Sequence, residues 1–327
     1  MKKKYRCFAL FSGGLDSMLA VVFMRKLGYE VLPVFFKTPF FTPEKALKAA
    51  NEIDVGLIVY DITDKHLEMM KNPRYGFGKY LNPCIDCHGL MFKTAGELMP
   101  EYNVDFLISG EVLGQRPMSQ RKDSLNSVGK LSEVKDLLVR PLCQQLLDDT
   151  LPVREGWVRK DEMLDIQGRN RQRQMKMAEE FGLKHFQNPA GGCLLTDRGF
   201  SNRLQDLIDF DMLEIEYINF LKIGRHFRLN DDVKLIIERN KQDNETITEL
   251  AENEIILKLQ EKPGPLGIFN AKRDLTDKEI KLAAGILFRY ENKLDGIREV
   301  FFGKKFQLIN SVKVEKMTDH EVKDFLI

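Results

Sequence analysis

The sequence predicts an α/β protein: a parallel-sheet, Rossmann-like domain over residues 1–217, followed by a smaller α+β domain over residues 218–327. Three observations carry this reading. Short apolar runs alternate with helical periodicities through the first third of the chain. A glycine pair separates the first run from the first helix. After Tyr217 the texture changes to short strand-like pieces around one long helical stretch.

The elements follow in order. Tyr5–Phe11 reads as a buried strand, and Asp16–Leu27 as a helix with Met18, Leu19, Val22, Phe23 and Leu27 on one face. Glu30–Phe36 is the second strand. Thr42–Asn51 is a helix with Thr42 as N-cap and Pro43 at its first position. Val55–Tyr60 and Val104–Ser109 are further strands, with helices at Asp64–Met70 and His88–Met99 between them. Gly114–Lys135 is polar and aperiodic and reads as a mobile covering loop. Val139–Leu142 is a last strand, Lys160–Phe181 a long helix, and Pro189–Gly192 a turn leading to Cys193. In the second domain Val233–Ile237, Ile255–Leu259 and Val312–Glu315 read as strands and Leu275–Glu291 as a helix.

Composition narrows the function classes. Of 327 residues, 43% are hydrophobic and 30% charged, as in a globular protein with a full core. Lys and Arg number 50 against 49 Asp and Glu, so the chain is not basic throughout, although a local basic patch is compatible with the total. Five cysteines are too few for a disulfide scaffold. No apolar run of about 20 residues and no cleavable leader occurs, so the expectation is a cytoplasmic protein with no membrane partner. A homodimer is compatible with this composition.

The sharpest signal is Ser12-Gly13-Gly14-Leu15-Asp16-Ser17, which leaves a strand and opens a helix. Paired glycines let several N–H groups face one point, and the helix N-terminus adds unpaired donors. The result is an anion seat sized for phosphate or pyrophosphate. No Gly-Lys-Ser/Thr follows, so the turn is not a Walker loop. This hexapeptide resembles the pyrophosphatase loop of the N-type ATP pyrophosphatases, or PP-loop superfamily. The resemblance implies an adenine nucleotide alpha hydrolase-like fold and cleavage of ATP to AMP and pyrophosphate. It implies that Ser12, Gly13, Gly14, Leu15, Asp16 and Ser17 hold the pyrophosphate, that Asp16 lies near Mg²⁺, and that adenine rests near Phe36 and Lys37.

Cysteine supplies the second signal. Asn82-Pro83 leads into Cys84-Ile85-Asp86-Cys87-His88, and Cys193 follows far downstream after two glycines. Cys7 and Cys143 read as core filling. Three thiolates suit a cubane [4Fe–4S] cluster with one iron open. Cys84, Cys87, Cys193 and His88 instead make a closed Zn²⁺ set, and a metal-free persulfide exchange is a third arrangement. The combination of glycine loop, Asn-Pro-x-x-x-Cys and a distant Cys resembles the tRNA-uridine 2-sulfurtransferases, which implies sulfur chemistry at Cys87 and Cys193. Cys84 stands where many of those enzymes have Asp, as in thiolases proposed to hold [4Fe–4S] on three cysteines.

Ser109-Gly110-Glu111-Val112-Leu113-Gly114-Gln115, Ser119-Gln120 and Arg140-Pro141-Leu142 resemble the catalytic domain of tRNA 4-thiouridine synthetase, which implies that Gly110 and Gln115 line the ATP site. That enzyme carries an RNA-binding extension ahead of this domain, and the present sequence begins at the first strand without one. Gly224-Arg225-His226-Phe227-Arg228-Leu229 and Lys234–Asn240 resemble the RNA-binding module of NFACT-type proteins, which implies RNA contacts from Arg225 and Arg228. Arg169, Arg171, Arg173 and Lys176 form the densest basic cluster and are further RNA candidates. The expected function is therefore an ATP-dependent tRNA uridine thiolase, a transferase that adenylates a uracil carbonyl oxygen and replaces it with sulfur. Its partners would be tRNA and a sulfur donor, either free sulfide or a persulfide carrier. The alternatives are an amidating or ligating ATP pyrophosphatase with structural Zn²⁺, and a non-catalytic RNA-binding protein.

Overall fold

The computed structural model describes residues 4–186, 193–259, 264–304 and 307–327. The chain divides into two units, Met1–Asp197 and Arg198–Ile327; the boundary expected after residue 217 lies inside the second. The expected turn at Pro189–Gly192 lies outside the described residues. Among the described residues no helix is long and apolar enough to cross a membrane.

In the first unit, strands β1 (Arg6–Leu10), β2 (Glu30–Lys37), β3 (Ile58–Asp61), β4 (Phe106–Ser109) and β5 (Leu138–Val139) form one parallel sheet in the order β3-β2-β1-β4-β5. Helices α1 (Leu15–Lys26), α2 (Glu44–Glu52), α3 (Thr63–Lys71), α4 (Cys84–Leu98), α5 (Lys122–Ser132), α6 (Leu151–Arg154) and α7 (Gln172–Glu180) accompany it. Both sheet faces are covered. One carries Cys7, Ala9, Met18, Leu19, Phe106 and Ile108; the other carries Phe8, Val34, Phe92, Leu107 and Leu138. Strands buried on both faces read as continuous apolar runs, which is why they were visible in the sequence. The order reverses at β1, the first strand along the chain, and the crevice at such a reversal is where open α/β sheets bind ligands.

Four expectations need correction. Gly114–Lys135 is not a mobile loop, because residues 122–132 form α5, which packs on α4. The two helices approach at glycine: a Cβ on Gly89 would stand 2.5 Å from the Leu131 Cβ, and one on Gly96 2.6 Å from Val134. Polar composition hid a helix whose partner, α4, supplies the glycines of the contact. Lys160–Phe181 is not one helix, since Gly168 has φ +79° and only α7 follows it. Helix α4 starts at Cys84, one turn before His88, so both cysteines belong to its first turn. Thr42 does not cap α2; Pro43 occupies the N-cap without a side-chain hydrogen bond.

The second unit contains α8 (Arg198–Asp209), α9 (Ile215–Ile218), β6 (Arg225–Asn230), β7 (Val233–Ile237), α10 (Lys241–Leu250), β8 (Ile255–Leu259), β9 (Leu266–Ala271), α11 (Asp277–Arg289), β10 (Arg298–Lys304), β11 (Asn310–Val314) and α12 (Asp319–Lys323). Its sheet is antiparallel in the order β11-β10-β8-β9-β7-β6. Helix α11, closed by a Thr276–Glu279 capping box, fills one face with Ala283, Ile286 and Leu287. The other face buries Lys234, whose ammonium donates to Asp206 at 2.7 Å; Arg228 donates to the same carboxylate at 2.6 Å. Burial lowers the Lys234 pKa to about 8, and Asp206 opposes that shift.

Gly110→Ala is expected to destabilise the first unit by about 1–3 kcal/mol, because its Cβ would stand 2.4 Å from the backbone oxygen of Asp16. Gly56→Ala, with nothing within 4 Å of its Cβ, should stay close to the parent in urea unfolding.

Candidate nucleotide and sulfur site

The glycine turn forms because β1 ends at Leu10 and α1 starts at Leu15, leaving four residues to reverse the backbone. Gly13 has φ +73°, and a Cβ there would lie 2.8 Å from the Ala46 Cα, so only glycine fits. Ser17 donates to the Gly14 carbonyl at 2.8 Å, and the Gly14 amide donates to Ser12 Oγ at 3.3 Å. The turn is thus preorganised by its own serines.

Asp16 is the centre of a polar network. Gln115 Nε2 donates to Asp16 Oδ2 at 2.6 Å, Gln174 Nε2 donates to Gln115 Oε1 at 2.8 Å, and Arg171 stands 3.6 Å from the same carboxylate oxygen. Asp16 Oδ1, Arg171 Nε and Gln174 Oε1 are buried without a hydrogen-bond partner. Three orphaned polar atoms around one anion seat suit a ligand that completes them. Of the basic cluster, only Arg171 turns to this seat. Arg173 pairs with Asp165, Lys176 lies 3.9 Å from Glu180, and Arg169 is exposed. Phe36 is buried, edge-on to Tyr60, and Lys37 pairs with Asp61 at 3.1 Å.

The turn after β4 ties this seat to the cysteines. Gly110 packs against the backbone of Asp16 and Ser17. Its neighbour Glu111 is buried, receives Arg140 Nε at 2.8 Å and Ser109 Oγ at 3.2 Å, and pairs with His88 Nδ1 at 2.9 Å. Burial alone would raise the Glu111 pKa; Arg140 and His88 outweigh it and hold the carboxyl at about 2. His88 lies one helical turn from Cys84 and directly after Cys87.

The three thiols share one neighbourhood. Burial raises the Cys87 pKa, and the nearby Cys193 and Cys84 raise it further. Burial also raises that of Cys193, to about 11, with Cys84 adding to the shift and Arg116 opposing it. Cys84 Sγ accepts from Asn82 Nδ2 at 3.3 Å, and Cys87 Sγ lies 3.5 Å from His66 Nε2. Burial drives the His66 pKa down to about 4, so its imidazole is neutral at pH 7. Among the described residues no three His, Cys, Asp or Glu side chains stand close enough to hold a metal. By donor type the thiols suit a soft-metal group. Cys7 and Cys143 are buried, Cys143 donating to the Glu111 carbonyl at 3.3 Å.

In the second unit Arg225 donates to the Glu238 carbonyl at 3.1 Å and lies over the Tyr290 ring, while Arg228 turns inward to Asp206. Sequence reasoning did not single out His66 or Gln174, which lie in ordinary amphipathic helices. Glu111 and Arg140 entered only as parts of a resemblance, although charged residues inside apolar runs are themselves a signal.

The fold defines a class: a Rossmann-like parallel α/β unit with a glycine turn after its first strand, followed by a separate antiparallel-sheet unit. Residues 3–148 match the family described as thiamine biosynthesis protein (ThiI), and residues 224–326 match the NFACT protein RNA binding domain. A probable tRNA sulfurtransferase of Thermococcus kodakarensis is 31% identical over 141 residues, covering 41% of this chain and 36% of that protein. A tRNA-specific 2-thiouridylase MnmA of Lysinibacillus sphaericus is 23% identical over 243 residues, 66% of this chain and 59% of that protein. A solved 4-thiouridine synthetase–RNA complex with bound ATP aligns at 20% identity and a TM-score of 0.38, over 57% of this chain and 44% of its own. This chain therefore spans 36% and 59% of the two curated relatives.

Glu111→Gln is expected to destabilise the protein at neutral pH. A carboxylate with a folded pKa depressed from 4.5 to about 2 stabilises fully above 4.5 and loses that contribution as pH falls toward 2. The stability difference between parent and variant in urea titrations should therefore shrink across that interval. A difference that stays constant from pH 5 to about pH 2 would refute the assigned pairing.

Proposed function

We propose that the protein is an ATP-dependent tRNA uridine thiolase. The observation that carries this reading is the Gly110–Glu111 turn, which touches the anion seat with one residue and holds the cysteine helix through His88 with the next. The names of the relatives support the same chemistry.

Ser12–Ser17 bind the β- and γ-phosphates through amides and hydroxyls. Asp16 would hold Mg²⁺, for which its unpartnered buried Oδ1 is a fitting ligand. Arg171 is placed to take charge developing on the leaving pyrophosphate. A uracil carbonyl oxygen attacks the α-phosphorus, the bond to pyrophosphate breaks, and the base becomes an adenylate. A sulfur nucleophile then adds at the activated carbon and AMP leaves with the original oxygen. Cys84, Cys87 and Cys193 would hold a [4Fe–4S] cluster, which when bound supplies an open iron for sulfide. Zn²⁺ on the same thiols is the alternative that the amidating reading requires. Neutral His66, packed against Phe40 and Phe41, shields the buried Cys87 thiol from water. RNA contacts come from the second unit, where Arg228 is committed to Asp206 and Arg225 lies over the Tyr290 ring.

Cys193→Ser should abolish thiouridine in unmodified tRNA while ATP is still converted to AMP and pyrophosphate. Asp16→Asn should slow pyrophosphate release roughly 100- to 1,000-fold. Thiouridine formed by Cys193→Ser would overturn the reading. Protein purified without oxygen should carry iron and acid-labile sulfide on the parent chain and lose both in Cys87→Ser; stoichiometric zinc would instead support the amidating alternative.

A further inference from the structure

Ahead of the cysteine helix lies a segment that neither ATP nor sulfur chemistry uses: Arg74-Tyr75-Gly76-Phe77-Gly78-Lys79-Tyr80. Tyr75 is 41% exposed and Phe77 37%, two large aromatic rings presented to solvent two residues apart. Arg74 and Lys79 are exposed beside them. Exposed aromatic surface edged by charge marks a binding surface.

This loop is fastened to the thiols. The amides of Arg74 and Tyr75 donate to the two carboxylate oxygens of Asp86 at 2.7 and 3.0 Å. Asp86 is buried in the first turn of α4, between Cys84 and Cys87. At the other end the Gly78 amide donates to the Asn82 carbonyl at 3.1 Å, and the Tyr80 amide to Asn82 Oδ1 at 3.3 Å. The same Asn82 side chain donates to Cys84 Sγ. A Cβ on Gly78 would lie 2.7 Å from that side-chain amide, so the close approach requires glycine. Two side chains flanking the cysteines thus hold an aromatic, basic loop at both ends.

We infer that this loop is a nucleobase platform, with Tyr75 and Phe77 stacking on the target uracil or the unpaired base next to it and Arg74 and Lys79 meeting the adjoining phosphates. The inference rests on the uridine-thiolation reading. Thiolation requires an unpaired base whose carbonyl reaches the activated phosphorus, and unpaired bases are held by stacking on aromatic faces with cations along the backbone. Aromatic and basic residues interleaved on one short loop match that ligand, whereas an apolar protein groove would not need cations among the rings. Attachment through Asp86 and Asn82 sets a stacked base at a fixed position relative to the thiols.

The test uses the full chain and an unmodified tRNA transcript. Tyr75→Ala combined with Phe77→Ala should weaken tRNA binding roughly tenfold, and Tyr75→Phe with Phe77→Tyr should restore it. Phe77→Trp adds an exposed reporter to a chain whose sole Trp, Trp157, is stacked on Tyr5 at 5.4 Å. Its emission should be quenched by the tRNA. Alanine variants that bind and thiolate like the parent, or Phe77→Trp emission unchanged at saturating tRNA, overturn the platform. Occupation of the loop by a protein without quenching by RNA overturns it equally. A parent that thiolates no uridine while Phe77→Trp is still quenched refutes the thiolase reading and leaves the platform standing.

Discussion

The first unit depends on one close approach, that of the turn after β4 to the start of α1. Gly110 brings its bare Cα against the backbone of Asp16 and Ser17, which leaves no room for a side chain. That contact fixes the anion seat against the central strand. One residue on, Glu111 is pulled in by Arg140, Ser109 and His88. A buried carboxylate with three partners is satisfied and rigid, whereas the same group unpaired would oppose folding. Geometry at one turn therefore couples the glycine turn to the helix that carries Cys84 and Cys87.

The polar atoms around this turn are not equally satisfied. Glu111 is complete, while Asp16, Arg171 and Gln174 each keep a buried atom without a partner. The Glu111 carboxylate, bonded on both oxygens, holds shape, while the orphaned atoms beside the glycine turn are open to a ligand. The thiols show the same division. Cys7 is buried in the apolar core and Cys143 is buried with its thiol on the Glu111 carbonyl, whereas Cys84, Cys87 and Cys193 act on one another electrostatically.

The second unit solves a different problem. Its sheet carries charged residues inward, and Lys234 and Arg228 share Asp206 there. Arg228, which resembles an RNA contact by motif, is committed to that pair, whereas Arg225 remains near the surface over Tyr290. A motif carries residue types and spacing; only the fold decides which of two arginines on alternate sides of a strand faces solvent.

Local patterns in the sequence specify the parallel sheet, the glycine turn and the Cys-x-x-Cys at the head of α4, because buried strands, paired glycines and close cysteine spacing have local causes. Periodicity misses α5, whose polar residues carry little of it, and runs one helix through Gly168, where a positive φ breaks it. Tertiary structure alone decided which charges meet: that Arg171 leaves its basic cluster for Asp16, that His66 lies against Cys87, and that Asp86 and Asn82 fasten an aromatic loop beside the thiols. These pairings join residues on separate elements, and hydrogen bonds and burial act through space, so no window of sequence contains them.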